Sequence, residues 1–377
     1  MTAPLILVAG ALAAKPGNGG EAWVRATWVL GLRRLGCRVV FVEDLGTDDP
    51  RGREWFRRVT EGFGFADSAA LVCGDEVTGM SIETLLARAD EADLLVNLSG
   101  NLAHDTLLRR PRRRAFVDLD PGFTQMWDAE GRRGVRLSGH DLFFTVGCGI
   151  GRAGCSIPTV GIEWHPVRPP VLLNAWPARS RSSEHPYLRC TTVATWRNPF
   201  GPVVHDGRAY SLKHHQLRRF RALPRLASHR FELALAIHDG DRHEVEEFAS
   251  EDWAVVDAGV VAGDPWLFAD YVRASDAEWS VAQGVYAETN SGWLSDRTAS
   301  YLASGRPAVV QETGQSRSLP TGKGLCTFAT LPDAVEAVRG VARDWQAHAS
   351  AARDLATAHF DSDVVLARFL EQCGVAP

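Results

Sequence analysis

Residues Leu5 to Val42 read LILVAGALAAKPGNGGEAWVRATWVLGLRRLGCRVVFV, and their reading decides the fold class. Leu5 to Ala9 is a short, wholly apolar run, as expected of a strand buried on both faces. A glycine-rich loop follows, then an amphipathic stretch from about Glu21 to Leu35, then a second apolar run from Arg38 to Val42. Strand, loop, helix and strand in that order predict two parallel strands joined by a helical crossover. The pattern recurs at Asp93 to Leu98 with a helix near Asp105 to Arg110, at Ala115 to Leu119 and at Asp141 to Val146. Such alternation predicts an α/β domain built on a parallel sheet.

From Pro166 to Pro186 the sequence PVRPPVLLNAWPARSRSSEHP replaces periodicity with proline, serine and arginine, which predicts a linker over 166–187. A second α/β series then begins. Thr191 to Trp196, Phe231 to Ile237, Trp253 to Val256, Trp279 to Ala282 and Ala308 to Gln311 read as strands. Helices are expected at Ser211 to Ala222, Trp266 to Ala274, Asp296 to Ser304, Pro332 to Thr357 and Ser362 to Gln372. The expected organisation is an N-terminal domain over 1–165, a second domain over 188–358 and a last helix over 359–377 that packs back on the first domain. Two Rossmann-like parallel-sheet domains then face each other across a cleft at the carboxyl ends of their strands, where open α/β sheets bind ligands.

The 377 residues are 45% hydrophobic and 23% charged, enough to bury two cores and too apolar for a disordered chain. Forty-one basic against 46 acidic side chains leave a net charge of −5, so no global positive field is expected to hold a nucleic acid or an anionic membrane. No stretch approaches the roughly 20 apolar residues of a membrane span, and the opening MTAPLILVAG lacks the basic residues of an export signal. A cytoplasmic monomer or homodimer is the expectation. The seven cysteines are odd in number and form no CxxC pair, which argues for reduced thiols rather than a disulfide framework or structural zinc.

The stretch that carries chemistry is Glu288 to Gly314, ETNSGWLSDRTASYLASGRPAVVQETG. A loop containing Ser291 and Gly292 enters a helix whose first residues are Ser295, Asp296, Arg297 and Thr298. A helix start offers unpaired N–H groups and a positive dipole end, both suited to a diphosphate. Ser295 or Asp296 equally serves as an ordinary helix cap.

Strand, glycine-containing loop, helix and then Ala303-Ser304-Gly305-Arg306-Pro307-Ala308-Val309-Val310 resemble the donor-binding segment of GT-B glycosyltransferases, over about Thr191 to the C-terminus. The resemblance implies transfer of a hexose, UDP-glucose being the expected donor, to a hydroxyl of a small molecule. It implies that Ser291 to Thr298 meet the diphosphate and that Gln311, Glu312, Thr313 and Gly314 meet the sugar. Lys213, in the loop-to-helix position after the first strand of the second domain, would neutralise the leaving diphosphate. Trp196, ending that strand, joins the donor set. Many GT-B enzymes place an acid five residues before the glycine of this turn, where this chain has Ser300. Glu288 and Asp296 have the spacing of a retaining pair but lie four residues too early relative to Gly305, which favours an inverting enzyme. No cofactor and no catalytic metal are expected. A composition rich in Ala, Arg and Asp suggests a high-GC bacterial source, and with it a nucleoside or other natural product of antibiotic biosynthesis as acceptor.

Inversion needs a carboxylate or imidazole within reach of the acceptor hydroxyl. Asp120, fixed at a strand tip by Pro121, is the leading base, with Glu21, Asp118 and His165 as rivals. Gly19 and Gly20 in the first loop leave room for an acceptor, which Trp23, Phe123 and Trp127 would wall. Asp118-Leu119-Asp120 has the form of a metal-binding Asp-x-Asp but falls in the wrong domain for the donor. His214 and His215 are expected to point to different helix faces. Gly149 to Gly154 is a literal GxGxxG, yet Cys155-Ser156-Ile157-Pro158 opens no helix, so the dinucleotide-binding geometry is not expected. A hinge-bending sugar or nucleotide binder and an NAD-dependent dehydrogenase are the alternative readings of the same two-domain layout.

Overall fold

The computed structural model describes residues 3–376 except 75, 133, 135, 179, 182–185 and 199, so part of the expected linker lies outside the described residues. Strands β1 (Leu5–Ala9), β2 (Arg38–Asp44), β3 (Ala69–Cys73), β4 (Glu76–Gly79), β5 (Leu94–Leu98), β6 (Arg114–Asp118), β7 (Leu142–Thr145) and β8 (Trp164–Pro166) form one sheet. Its order is β4-β3-β2-β1-β5-β6-β7-β8, and only the β3–β4 edge pair is antiparallel. After β9 (Arg189–Thr195) comes a small hairpin, β10 (Val204–His205) and β11 (Arg208–Ala209). Strands β12 (Arg230–Ala236), β13 (Trp253–Asp257), β14 (Ala277–Ser280), β15 (Ala308–Gln311) and β16 (Leu325–Phe328) complete a parallel second sheet in the order β13-β12-β9-β14-β15-β16. In both sheets the order reverses beside the first strand, between β1 and β5 and between β9 and β14. This is the doubly wound arrangement whose ligand crevice opens at the reversal.

The central strands are buried on both faces because helices cover both sides: Leu5 to Ala9 and Leu94 to Leu98 are buried throughout. The second core is aromatic, with Trp279 stacked on Phe328 at 5.7 Å and packed on Trp253 at 5.2 Å. Helix Pro50–Gly62, strands β3, β4, β8 and β16, and helices Ile82–Glu91, Phe123–Ala129 and His243–Ala249 add to the elements expected from sequence. The long helix expected from Pro332 to Thr357 is two helices, Leu331–Arg343 and Trp345–His359, broken at Asp344 with φ −141° and ψ 59°.

Helix Ser362–Gln372 crosses back to the N-terminal domain. Val171 donates to Phe360 at 2.7 Å and accepts from Ser362 at 2.9 Å, tying the crossover to the linker. Phe369 then lies 5.1 Å from Trp28 and 4.5 Å from Phe144, and Arg34 forks onto Asp363 at 3.0 and 2.7 Å. Truncating Phe369 to alanine removes a buried ring shared by three elements and is expected to destabilise the N-terminal core by about 3–5 kcal/mol, read in denaturant unfolding. A loss below 1 kcal/mol would mean that the last helix is not part of that core.

The two domains also meet at the helix Gly19–Arg34 end of the cleft. Trp23 Nε1 donates to the Pro265 carbonyl at 2.7 Å, Arg58 pairs with Asp264, and Phe63 stacks on Trp266 at 5.7 Å. Among the described residues no helix is long and apolar enough to cross a membrane.

Candidate active site

A cavity of about 1090 Å³ opens between the carboxyl ends of the two sheets. The N-terminal domain contributes the loop after β1 and the residues following β6 and β7; the C-terminal domain contributes the ends of β9, β12 and β13 and the start of helix Asp296–Ala303.

The loop after β1 is shaped by a residue that the sequence reading passed over. Glu43, at the end of β2 and 2% exposed, accepts hydrogen bonds from the N–H groups of Leu12, Ala13 and Ala14 at 2.7, 2.6 and 2.8 Å. Burial lifts its carboxyl above the usual range against the pull of those three amides. The curled loop delivers Lys15 to the cavity, where its ammonium meets Glu21 at 3.0 Å, and Arg25 pairs with the same carboxylate. Burial alone would raise the Glu21 carboxyl, but Arg25 and Lys15 outweigh it and bring it down to about 2.

Asp120 also faces the cavity, two residues beyond the end of β6. The Tyr286 hydroxyl donates to its Oδ1 at 3.2 Å, from the opposite domain. Although its surface is exposed to the cavity, the enclosing walls raise its carboxyl, with Lys15 opposing and Glu21 adding to the rise. Asp118 is placed differently. It is fully buried and accepts from Thr124, Gln125 and Thr145 at 2.9, 2.8 and 2.8 Å, with the Asp120 N–H at 3.2 Å. Burial lifts it to about 6 against those donors, and its oxygens are spent on fixing the strand end.

On the facing wall, Ser295 caps helix Asp296–Ala303, its Oγ accepting from the Arg297 N–H at 3.2 Å. Asp296 projects into the cavity, where it is exposed to the solvent that fills it, and the enclosing walls and then the charge of Glu21 raise it to about 6. Arg297 lines the cavity while its Nε donates to fully buried Glu278 at 2.7 Å and its Nη1 to the Val193 carbonyl at 2.6 Å. Lys213 begins helix Lys213–Arg219, makes no ion pair among the described residues, and is brought down to about 8 by burial and by the nearby Arg297 charge.

Glu21, Asp120, Lys213, Gly20, Ser295, Asp296 and Arg297 therefore come together around one cavity. The other candidates lie elsewhere. His165 sits on edge strand β8 against Phe144 at 5.5 Å, outside the cavity lining. Trp23, Phe123 and Trp127 do not wall the cavity: Trp23 fills the interdomain seam against Phe63 at 4.8 Å, and Phe123 packs on Trp127 at 5.4 Å. Large rings gain most by packing, and these are spent there. Gly19 is closed off, because a Cβ there would meet the Asp264 carbonyl oxygen at 2.3 Å. Trp196 is 1% exposed between His214 and Phe248 and lines no part of the cavity.

Ser291 and Gly292 fold onto the loop at Gly149 and not onto the cavity: Gly149 donates to the Ser291 carbonyl at 2.8 Å, and the Ser291 hydroxyl donates to the Tyr286 carbonyl at 3.1 Å. Thr298 and Gln311 line only a small void behind Leu294, with Gln311 held by Gln216 at 2.9 Å and by the Ala282 N–H at 3.0 Å. Glu312 accepts from the Gly314 N–H at 2.7 Å, and Thr313 donates to the Trp293 carbonyl at 2.6 Å. Glu288 is taken up by Ser211 at 2.6 Å and Arg208 at 2.8 Å. His214 and His215 take different environments, His214 buried and His215 exposed, although their rings touch at 4.0 Å. Gly149 to Gly154 forms turns, with no helix after it. Glu130, His205 and Asp206 bring ligand atoms within 4.8 Å of one another, but at the surface, outside the cavity lining.

No protein-family model and no curated protein matches the sequence. Solved structures do match the fold. An alpha-glucosyltransferase in complex with UDP-glucose and DNA containing an abasic site is similar over 98% of each chain, with a TM-score of 0.64 at 11% identity. AviGT4, a glycosyltransferase involved in avilamycin A biosynthesis, is similar over 98% of this chain and 97% of its own, with a TM-score of 0.60 at 14% identity. Anabaena HepE in complex with UDP and glucose is similar over 98% of this chain and 99% of its own, with a TM-score of 0.56 at 12% identity. The chain has the GT-B fold of nucleotide-sugar glycosyltransferases, as its Gly305 turn suggests. One expectation is corrected: a net charge of −5 does not exclude a nucleic-acid partner, since the same fold occurs in a complex with DNA. Net charge is a sum over the whole surface, whereas a phosphate backbone is met by local groups.

Proposed function

We propose that this chain is a glycosyltransferase that moves a hexose, glucose by preference, from a UDP-sugar to an acceptor hydroxyl, with inversion. The observation that carries the reading is the pairing of two chemistries across one cavity: carboxylates Glu21 and Asp120 on one wall, and Lys213, Arg297 and the start of helix Asp296–Ala303 on the other. A diphosphate at the second wall meets two cations and the positive end of the helix, beside the Asp296 carboxyl, and the cations stabilise charge as it builds on the leaving group. These cations supply that charge without a metal. Asp120 would take the acceptor proton, since its carboxyl is raised and its Oδ2 accepts no hydrogen bond among the described residues. The test is incubation with UDP-glucose and acceptors of two kinds, hydroxyl-bearing natural products including nucleosides and double-stranded DNA, with detection of the glycosylated product. Absence of both product and UDP release with every acceptor would contradict the reading.

The donor wall makes a pH prediction. Lys213 carries its proton below about 8 and loses it above, so UDP affinity is expected to hold through neutral pH and to fall as pH rises past that value. Lys213→Ala should weaken UDP by about 10- to 100-fold, the worth of one charged hydrogen bond, and should flatten that pH dependence. Titration calorimetry across pH 6 to 9 on both proteins checks this.

A further inference from the structure

We propose that Tyr286 is a positioning residue for the base: by donating its hydroxyl across the domain seam to Asp120, it sets the orientation and readiness of that carboxylate. The inference rests on the proposed transfer reaction and on Asp120 as its base. The two residues are 166 apart in sequence and belong to opposite domains. Their meeting is built into the backbone. Gly122 has φ +90°, and a Cβ there would lie 2.7 Å from Val285 Cγ2, so the turn after Asp120 seats directly on helix Gly284–Glu288. That helix is closed on its other side, where a Cβ on Gly284 would lie 2.1 Å from Ser211 Oγ. Tyr286 itself is 4% exposed, 4.5 Å from Trp293 and 6.1 Å from Phe123 ring to ring, so its hydroxyl has little freedom to swing away.

The hydrogen bond fixes Oδ1, while the Asp120 N–H bond to Asp118 fixes the backbone at 3.2 Å, and Oδ2 accepts no hydrogen bond among the described residues of this cavity-lining side chain. The phenol keeps its proton across the working range, because burial and then the charges of Asp120 and Asp118 push it well above its ordinary value. It is therefore always a donor to the carboxylate. Other charged groups facing Asp120 are Lys15, Glu21 and Arg25 from the first loop and helix, Asp118 from β6, and Lys213 from the donor wall. None of these donates a hydrogen bond to Asp120 among the described residues. Donation to the ionised form favours it, so loss of the hydroxyl raises the pH at which Asp120 becomes a base. The bond exists only while the two domains are seated together, so the base is readied by the same contact that closes the seam.

Tyr286→Phe removes one oxygen and keeps the ring in its aromatic pocket. The acid limb of the kcat profile is expected to move up by about one pH unit. Turnover at pH 6 should fall several-fold and recover at high pH, with KM for the UDP-sugar unchanged. A second measurement does not depend on turnover: the carboxyl titration of Asp120, followed by carbon NMR in protein labelled at aspartate Cγ and assigned with Asp120→Asn. An upward shift of that titration in Tyr286→Phe is expected. An identical titration in both proteins, or a rate loss equal at every pH, would overturn the role of Tyr286. An upward shift of the Asp120 titration in Tyr286→Phe, with a wild-type protein that turns over no UDP-sugar, would instead overturn the transfer reaction while leaving the Tyr286–Asp120 contact in place.

Discussion

Replacing Asp120 by asparagine is expected to lower kcat by about 10²- to 10⁴-fold, the range by which a positioned general base speeds proton transfer. The amide keeps the shape of the carboxylate and can still accept from Tyr286, so the loss reports the missing proton acceptor and not a collapsed turn. UDP affinity should not change, because Asp120 stands on the wall opposite Lys213 and Arg297. The rivals predict other patterns. Glu21 is held down to about 2 by Arg25 and Lys15 once burial is offset, which leaves it a weak base. Glu21→Gln should cost far less turnover than Asp120→Asn. Asp118 anchors Thr124, Gln125 and Thr145, and Asp118→Asn should show first as lost stability. A UDP-release assay at saturating donor, run on the three variants, separates these cases; equal losses for Asp120→Asn and Glu21→Gln would remove the assignment.

Arg297→Ala is expected to cost about 3–5 kcal/mol of stability as well as donor binding, because it strands a buried carboxylate. Glu278 is fully buried in the centre of the second sheet, and Arg297, itself 11% exposed, is its ion-pair partner. Glu278 Oε2 has no hydrogen-bond partner among the described residues, so the guanidinium bears the whole burden of that charge. Replacing both residues by apolar ones of similar volume should restore much of the stability while leaving UDP binding impaired. Denaturant unfolding of the two singles and the double measures this coupling. If Arg297→Ala unfolds like the wild type, the pair does not hold the helix start in place.

The apolar runs that made the fold legible are those whose burial is nearly total. Leu5 to Ala9 and Leu94 to Leu98 cannot be anything but central strands once glycine loops and helices alternate with them. The elements that escaped notice are those whose burial is partial. Helix Pro50–Gly62, PRGREWFRRVTEG, shows the core only Trp55, Phe56 and Val59 among its large apolar residues, and its arginines mask the stripe. Strand β4 is four residues at the sheet's edge, mostly exposed, with Val77 packed against the core. Strand β8 is three residues whose place is set by β7, not by its own pattern.

The candidate site was legible to the extent that it follows from where strands end. Asp120 after β6, Glu21 after β1 and Lys213 after β9 reach the cavity because parallel strands deliver their carboxyl ends to one edge. What pattern cannot carry is partnership at long range. Nothing near Asp120 in sequence announces Tyr286, and nothing near Arg297 announces that it is also the counter-ion of Glu278 on a strand below. The aromatic residues Trp23, Phe123 and Trp127 lie off the cavity for the same reason: Trp23 packs on Phe63 and Trp176, Phe123 on Tyr286 and Trp127 on Phe200, all distant in sequence. A Ser or Thr near a Gly-rich turn is equally ambiguous, and Ser291 and Thr313 are used up in closing the loop on itself.

The central claim, a nucleotide-sugar site between the two sheets, is tested most directly by thermal unfolding of the whole chain with a panel of nucleoside diphosphates, their sugars and NAD. A ligand at 100 times its Kd stabilises by about 2.7 kcal/mol, a shift that is easily read. UDP and UDP-glucose are expected to raise the transition in the wild type, and in Lys213→Ala, with UDP about 10- to 100-fold weaker, that stabilisation should shrink to about 0.4–1.4 kcal/mol. Stabilisation by NAD or a free sugar, with none from any nucleoside diphosphate, would contradict the account.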